Sequence, residues 1–136
     1  MDTMTIGKVA KGAGVGVETI RFYEREGLID QPRRTDSGYR AYPVDTVDRV
    51  RFVRHAKELG FSLTEIKELM AWRIAPGTTC GQIKKRAEAK IGDIEDRIRG
   101  LQRMKQALRK LAAACRGNGP VSECPILDAL ERGNRR

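Results

Sequence analysis

A chain of 136 residues, 40% hydrophobic and 33% charged, has the size of one globular domain or of a small domain with a helical extension, and its composition excludes intrinsic disorder. Aromatics make up only 5%, so the core must be mostly aliphatic. The net charge of +9 favours a polyanionic partner, and no run approaches the ~20 apolar residues of a membrane span.

The charge does not locate that partner's site. Residues 1–60 hold 11 basic and 9 acidic side chains, whereas residues 61–136 hold 16 and 9. The first residues lead straight to Lys8 and Lys11 without the apolar stretch of a secretion signal, so the chain is expected in the cytoplasm, where thiols stay reduced. Three cysteines in that setting favour metal binding or redox chemistry over a disulfide framework. The single histidine, His55, falls in an expected helix far from all three and reads as a surface or packing residue.

Ile6, Val9, Ala10 and Ala13 recur at helical spacing. Gly14-Val15-Gly16 breaks that run, and a second helix from Val17 to Glu26 follows, with Ile20 inward, Glu18, Arg21 and Arg25 outward, and Gly27 as its stop. Two short helices across a glycine turn, at about 6–26, form a helix-turn-helix pattern. Residues 33–42 carry the turn signal Asp36-Ser37-Gly38 flanked by Tyr39 and Tyr42, which predicts a β-hairpin, or wing. A third helix is expected over 44–59, closed by Gly60. A fourth opens at Ser62 with a capping box to Glu65 and buries Ile66, Leu69 and Met70. Pro76 to Thr79 reads as a hinge.

A fifth helix is expected from about 81 to 114. Ile91, Ile94, Ile98, Leu101, Leu108 and Ala112 alternate by three and four residues, which is a heptad seam with Lys105 at one a position. Such a seam needs a partner helix, and nothing else in the chain is long enough to supply one, so an antiparallel homodimer is expected. Pro125 to Leu130 predicts a last short helix, and Gly133 to Arg136 a frayed tail. The chain is therefore expected to be mainly α: an N-terminal winged helix-turn-helix with connecting helices over 4–75, then a long antiparallel dimerisation coiled coil with a metal-binding loop over 80–132.

The cysteines sit at informative places in this plan. Cys80 and Cys115 are 35 residues apart, both at d positions of the heptad register. A helix of that length spans ~52 Å, so the two thiols cannot share an ion within one chain. They can do so across an antiparallel pair. Cys124 follows across the Gly/Pro-rich stretch Arg116-Gly117-Asn118-Gly119-Pro120, a loop that can fold the third thiol back. The expectation is a three-thiolate site of Cys115 and Cys124 with Cys80 from the other chain. Sulfur donors favour Hg(II), Cd(II), Pb(II), Cu(I) or Zn(II). Structural zinc normally takes four ligands and Cu(I) usually two, which favours another divalent ion. Three thiolates around it leave a net negative charge that Arg116 can soften.

On the helix-turn-helix, Thr19, Arg21 and Tyr23 are the candidate DNA-binding residues of the second helix, Arg21 and Tyr23 facing the major groove, and Tyr39 with Arg40 on the wing can reach flanking phosphates. Arg49, Arg51 and Arg54 are either further backbone contacts or a solvated helix face.

Thr19 to Ile29, Gly38 to Tyr42, Val50 to Arg54 and Leu59 to Ile66, together with the cysteines and Cys124-Pro-Ile-Leu127, resemble the signature of MerR-family transcription regulators over nearly the whole chain. The cysteine layout most resembles the mercury-sensing members and their lead- and cadmium-sensing relatives. Copper-type members carry serine at the place of Cys80, and zinc-type members carry extra Cys and His around the loop. The resemblance implies a dimer on inverted-repeat promoter DNA that represses and, on binding Hg(II), distorts an over-long spacer so that RNA polymerase engages both promoter elements. Pb(II), Cd(II) or Zn(II) as effector is one alternative; a cysteine-based redox or electrophile sensor is another. An enzyme is disfavoured because His55, the single histidine, cannot serve as a base for any of the thiols.

Overall fold

In the computed structural model, which describes residues 3–36 and 38–133, Thr5 starts the first helix by accepting the Lys8 N–H at 3.3 Å. The elements in chain order are β1 (Thr3–Met4), α1 (Ile6–Ala13), α2 (Val17–Arg25), β2 (Arg33–Arg34), β3 (Arg40–Pro43), α3 (Thr46–Glu58), α4 (Leu63–Ile74), α5 (Cys80–Ala114), a 3-10 turn (Val121–Glu123) and α6 (Pro125–Arg132). Ser37 of the expected hairpin turn and residues 134–136 of the expected tail lie outside the described residues. No helix among the described residues is long and apolar enough to cross a membrane.

Two compact units make up the chain, one ending at Lys84 and one beginning at Lys85, with α5 running through the boundary. The first unit has an aliphatic core, as the low aromatic content required. Val9, Ala10 and Ala13 of α1, Ile20 of α2, Val50, Val53 and Ala56 of α3 and Ile66 of α4 are buried together, joined by Tyr23 and Tyr42. The expected hairpin is present: Arg33 pairs with Ala41 and Arg34 with Arg40. The two-residue β1 adds to its other side, pairing Met4 with Tyr42, so β3 is the central strand in the order β1-β3-β2. The Ser62–Glu65 capping box is formed, at 2.8 and 3.2 Å. A second box precedes α5: Gln82 N–H to Thr79 Oγ1 at 3.3 Å and Thr79 N–H to Gln82 Oε1 at 2.9 Å. Thr79 is thus the cap, and Cys80 is the first helical residue.

The helix-turn-helix corner depends on Gly14. Its φ is +72°, which suits glycine, and its N–H closes α1 by donating to the carbonyls of Ala10 and Lys11. The remaining carbonyls at this helix end are taken by α3. Arg51 donates to the Gly12 carbonyl from Nε at 3.2 Å and Nη2 at 2.7 Å, and Arg54 Nη1 donates to the Ala13 carbonyl at 3.1 Å. A Cβ at position 14 would stand 2.6 Å from Arg54 Nη1. Gly14→Ala is therefore expected to force a left-handed alanine and displace Arg54 together, costing about 2–3 kcal/mol. Thermal denaturation should show a drop of roughly 10–20 °C in the transition of this unit.

In the second unit the apolar residues of α5 lie open in the single chain. Ile91, Ile94, Ile98, Leu101, Met104 and Leu108 are all exposed, and so are Leu127 and Leu130 of α6.

Candidate nucleic-acid interface and thiol site

The α2 helix presents its candidate residues unequally. Thr19 is half-buried and Arg21 exposed, its guanidinium held 2.7 Å from Glu18 one turn earlier. Tyr23 is not on the outward face. It is 4% exposed, with its ring centroid 6.1 Å from that of Phe22, and belongs to the core. Ile20, Tyr23 and Glu24 fall at i, i+3 and i+4 and all turn inward. Burial pushes the Tyr23 hydroxyl above its ordinary pKa, with the Arg54 charge opposing. The expectation that Tyr23 faces the major groove is corrected accordingly.

At the wing, the turn is closed by the Gly38 N–H to the Thr35 carbonyl at 2.8 Å and the Thr35 N–H to the Tyr39 carbonyl at 2.7 Å. Tyr39 stands 73% exposed just past this turn. Arg40 is engaged: Nη1 donates to Glu24 Oε2 of α2 at 2.6 Å. The Tyr42 hydroxyl donates to the other carboxylate oxygen of Glu24. Burial and that bond push the Tyr42 hydroxyl upward in pKa. Of the third-helix arginines, Arg51 and Arg54 cap α1, and Arg49 lies 3.3 Å from Asp30.

The thiols are distributed between helix ends. Cys80, exposed, opens α5. Cys115 follows its last residue, and its sulfur accepts the Gly117 N–H at 3.4 Å. The loop returns so that Cys124 immediately precedes α6. Both sulfurs border one cleft with Arg116, Asn118 and Glu123. Two soft donors on one cleft suit a thiophilic cation. Among the described residues, no group of three or more His, Cys, Asp or Glu side chains converges within the single chain.

The Leu127 N–H, aided by the Ile126 N–H and the Cys115 thiol, holds the Cys124 pKa below that of an ordinary thiol, against a smaller opposing effect of burial. The thiolate is the stabilised form. The pH–rate midpoint for alkylation of Cys124 by iodoacetamide in the metal-free protein is therefore expected below that of the same peptide in urea. Peptide-resolved mass spectrometry measures it, and equal midpoints would contradict the assignment.

Residues 4–72 match the family model described as MerR HTH family regulatory protein, and residues 47–111 match the model described as MerR, DNA binding. The chain belongs to the MerR family. Its MerR-family relatives include the mercuric resistance operon regulatory protein of Pseudomonas fluorescens, 42% identical over 98% of this chain and 91% of that protein. The transcriptional regulator ZntR of Escherichia coli K12 is also 42% identical, over 94% and 92%. Among solved structures, the lead(II) complex of the regulator PbrR691 from Ralstonia metallidurans CH34 superposes with a TM-score of 0.81 at 31% identity, covering 93% of this chain and 98% of that one. MerR from Bacillus megaterium MB1 with mercury(II) gives 0.70 at 37%, covering 94% and 99%. HiNmlR, a MerR-family regulator bound to promoter DNA, gives 0.57 at 26%, covering 82% and 85%. These MerR-family proteins are transcription regulators, not enzymes. Equal identity to a mercuric regulator and to ZntR means that overall similarity does not select the ion.

Proposed function

We propose that this MerR-family chain is a cytoplasmic, homodimeric regulator that represses a metal-resistance promoter and activates it on binding Hg(II). The observation that carries the metal reading is that Cys115 and Cys124 line one cleft beyond the end of α5. Cys80 of the partner subunit completes a three-sulfur set through antiparallel pairing of α5. The open apolar seam of α5 supports that pairing, since an apolar stripe of that length is a protein-association surface. The bound ion supplies a soft Lewis-acid centre that ties the two chains' thiolates together. The all-sulfur donor set, without the extra Cys and His of zinc-type members, favours Hg(II) over Zn(II).

Thr19 and Arg21 of α2 and Tyr39 and Arg40 of the wing are proposed to contact an inverted-repeat operator, two-fold protein symmetry being mirrored in the half-sites. Metal binding then distorts the promoter spacer for RNA polymerase. The test is transcription in vitro from the chain's own promoter, with each ion added singly. Hg(II) is expected to activate at the lowest concentration. Activation by Pb(II), Cd(II) or Zn(II) at a lower one would reassign the effector. Activation by peroxide but by none of the four ions would make the chain a redox sensor.

A further inference from the structure

Glu24 is a carboxylate placed where a carboxylate is costly. Its side chain is 6% exposed, on the inward face of α2. A buried charge persists only when it is paired and hydrogen-bonded. Both partners come from β3, the central strand of the small sheet: Arg40 Nη1 on one oxygen at 2.6 Å and the Tyr42 hydroxyl on the other. Arg40 and Tyr42 are two residues apart, so they share one face of the strand. The carboxylate therefore bridges the helix that carries Thr19 and Arg21 to the strand that follows Tyr39 out of the wing turn.

Arg40 also stands directly opposite Arg34 in the hairpin register. Like charges at that position repel. Glu24 compensates the pair and fixes one rotamer of Arg40, whose side chain is still 39% exposed.

We propose that Glu24 is a positioning residue for DNA recognition: it locks the wing to the recognition helix through Arg40 and Tyr42, so that both elements meet the duplex in one geometry. This rests on the reading of the chain as a DNA-binding regulator. It makes a prediction opposite in sign to simple electrostatics. Removing a negative charge near a DNA-binding surface should tighten binding to any duplex; loss of the lock should weaken binding to the specific one.

The experiment uses the full-length, metal-free protein and a duplex that the wild-type chain selects from a random-sequence library, with a scrambled duplex beside it. E24Q is expected to bind the selected duplex at least ~10-fold more weakly, with scrambled binding unchanged or tighter. Because Glu24 acts in part through Arg40 and in part through Tyr42, the losses from E24Q and R40A should be less than additive in the double variant E24Q/R40A. In the free protein, amide exchange over residues 33–43 should accelerate in E24Q while that of α3 does not. Selected-duplex affinity equal to or above wild type in E24Q overturns the proposal, as do additive losses in the double variant. Should E24Q not fold, R40A decides through amide exchange: unchanged protection over 33–43 overturns the lock. A wild-type chain that selects no duplex would overturn the regulator reading and this role with it.

Discussion

A heterodimer of a Cys80→Ser chain with a Cys115→Ser/Cys124→Ser chain is expected to bind one metal ion tightly, although each parent homodimer binds poorly. In the mixed species one site loses all three sulfurs and the other keeps all three. The expectation follows from a continuous 35-residue α5 with Cys80 at its start and Cys115 just beyond its end. A helix that long, ~52 Å, forbids a shared ion along one chain. Cys115 and Cys124, which line one cleft, would supply two of the three donors locally. Even partners that only orient metal ligands cost 10–100-fold in affinity when removed, so loss of a ligand itself should cost ~100-fold or more. Titration of Hg(II) against a competing thiol gives the readout. Undiminished binding in the Cys80→Ser homodimer would place the site within one chain, on Cys115 and Cys124 alone. Weak binding in every species would remove the thiols from metal chemistry.

Leu101→Asp is expected to convert the proposed dimer to monomers at micromolar concentration. Leu101 is 62% exposed in the single chain and lies in the middle of the apolar seam. In an antiparallel pair the substitution enters twice, and each copy replaces a buried leucine, worth roughly 1.5–3 kcal/mol, with a charge that has no partner. Sedimentation velocity should show the monomer mass. The first unit has its own core in Val9, Ile20, Val50, Val53 and Ile66, so its thermal transition should survive. The helical circular dichroism should fall, because a lone amphipathic helix draws most of its stability from packing. An intact dimer of this variant would separate the seam from the interface.

The elements that were legible in the chain are those set by neighbours a few residues apart. The spacing of Ile6, Val9, Ala10 and Ala13 with the break at Gly14 marks α1 and its turn, since one helical face and one left-handed residue suffice. Ser62 and Glu65 announce α4 for the same reason. Thr79 and Gln82 carry the same signal for α5, which starts at Cys80 rather than at 81. The glycine-rich loop after Cys115 has the flexibility to turn the chain back, and Cys115 and Cys124 line one cleft.

Tyr23 marks where local reading stops. Its position three residues after Ile20 belongs to the buried stripe, yet a tyrosine in a DNA-binding helix suggests an outward role, and only the packing of α1, α2 and α3 against one another decides which applies. The burial of Glu24 leaves no local mark in the sequence, because the partners that make it tolerable, Arg40 and Tyr42, lie 16 and 18 residues away. Arg51 and Arg54 read as a basic face, whereas they cap α1 from 39 and 41 residues downstream. Helical period and capping chemistry act over one turn and leave a mark in the order of residues. The pairing of a buried charge, or of an open helix end, has no period, and it exists once the chain has brought distant segments together. By itself the sequence determined the helices, the hairpin and the placing of the cysteines at helix ends; tertiary structure alone decided which polar side chains face outward and which join α2 to β3.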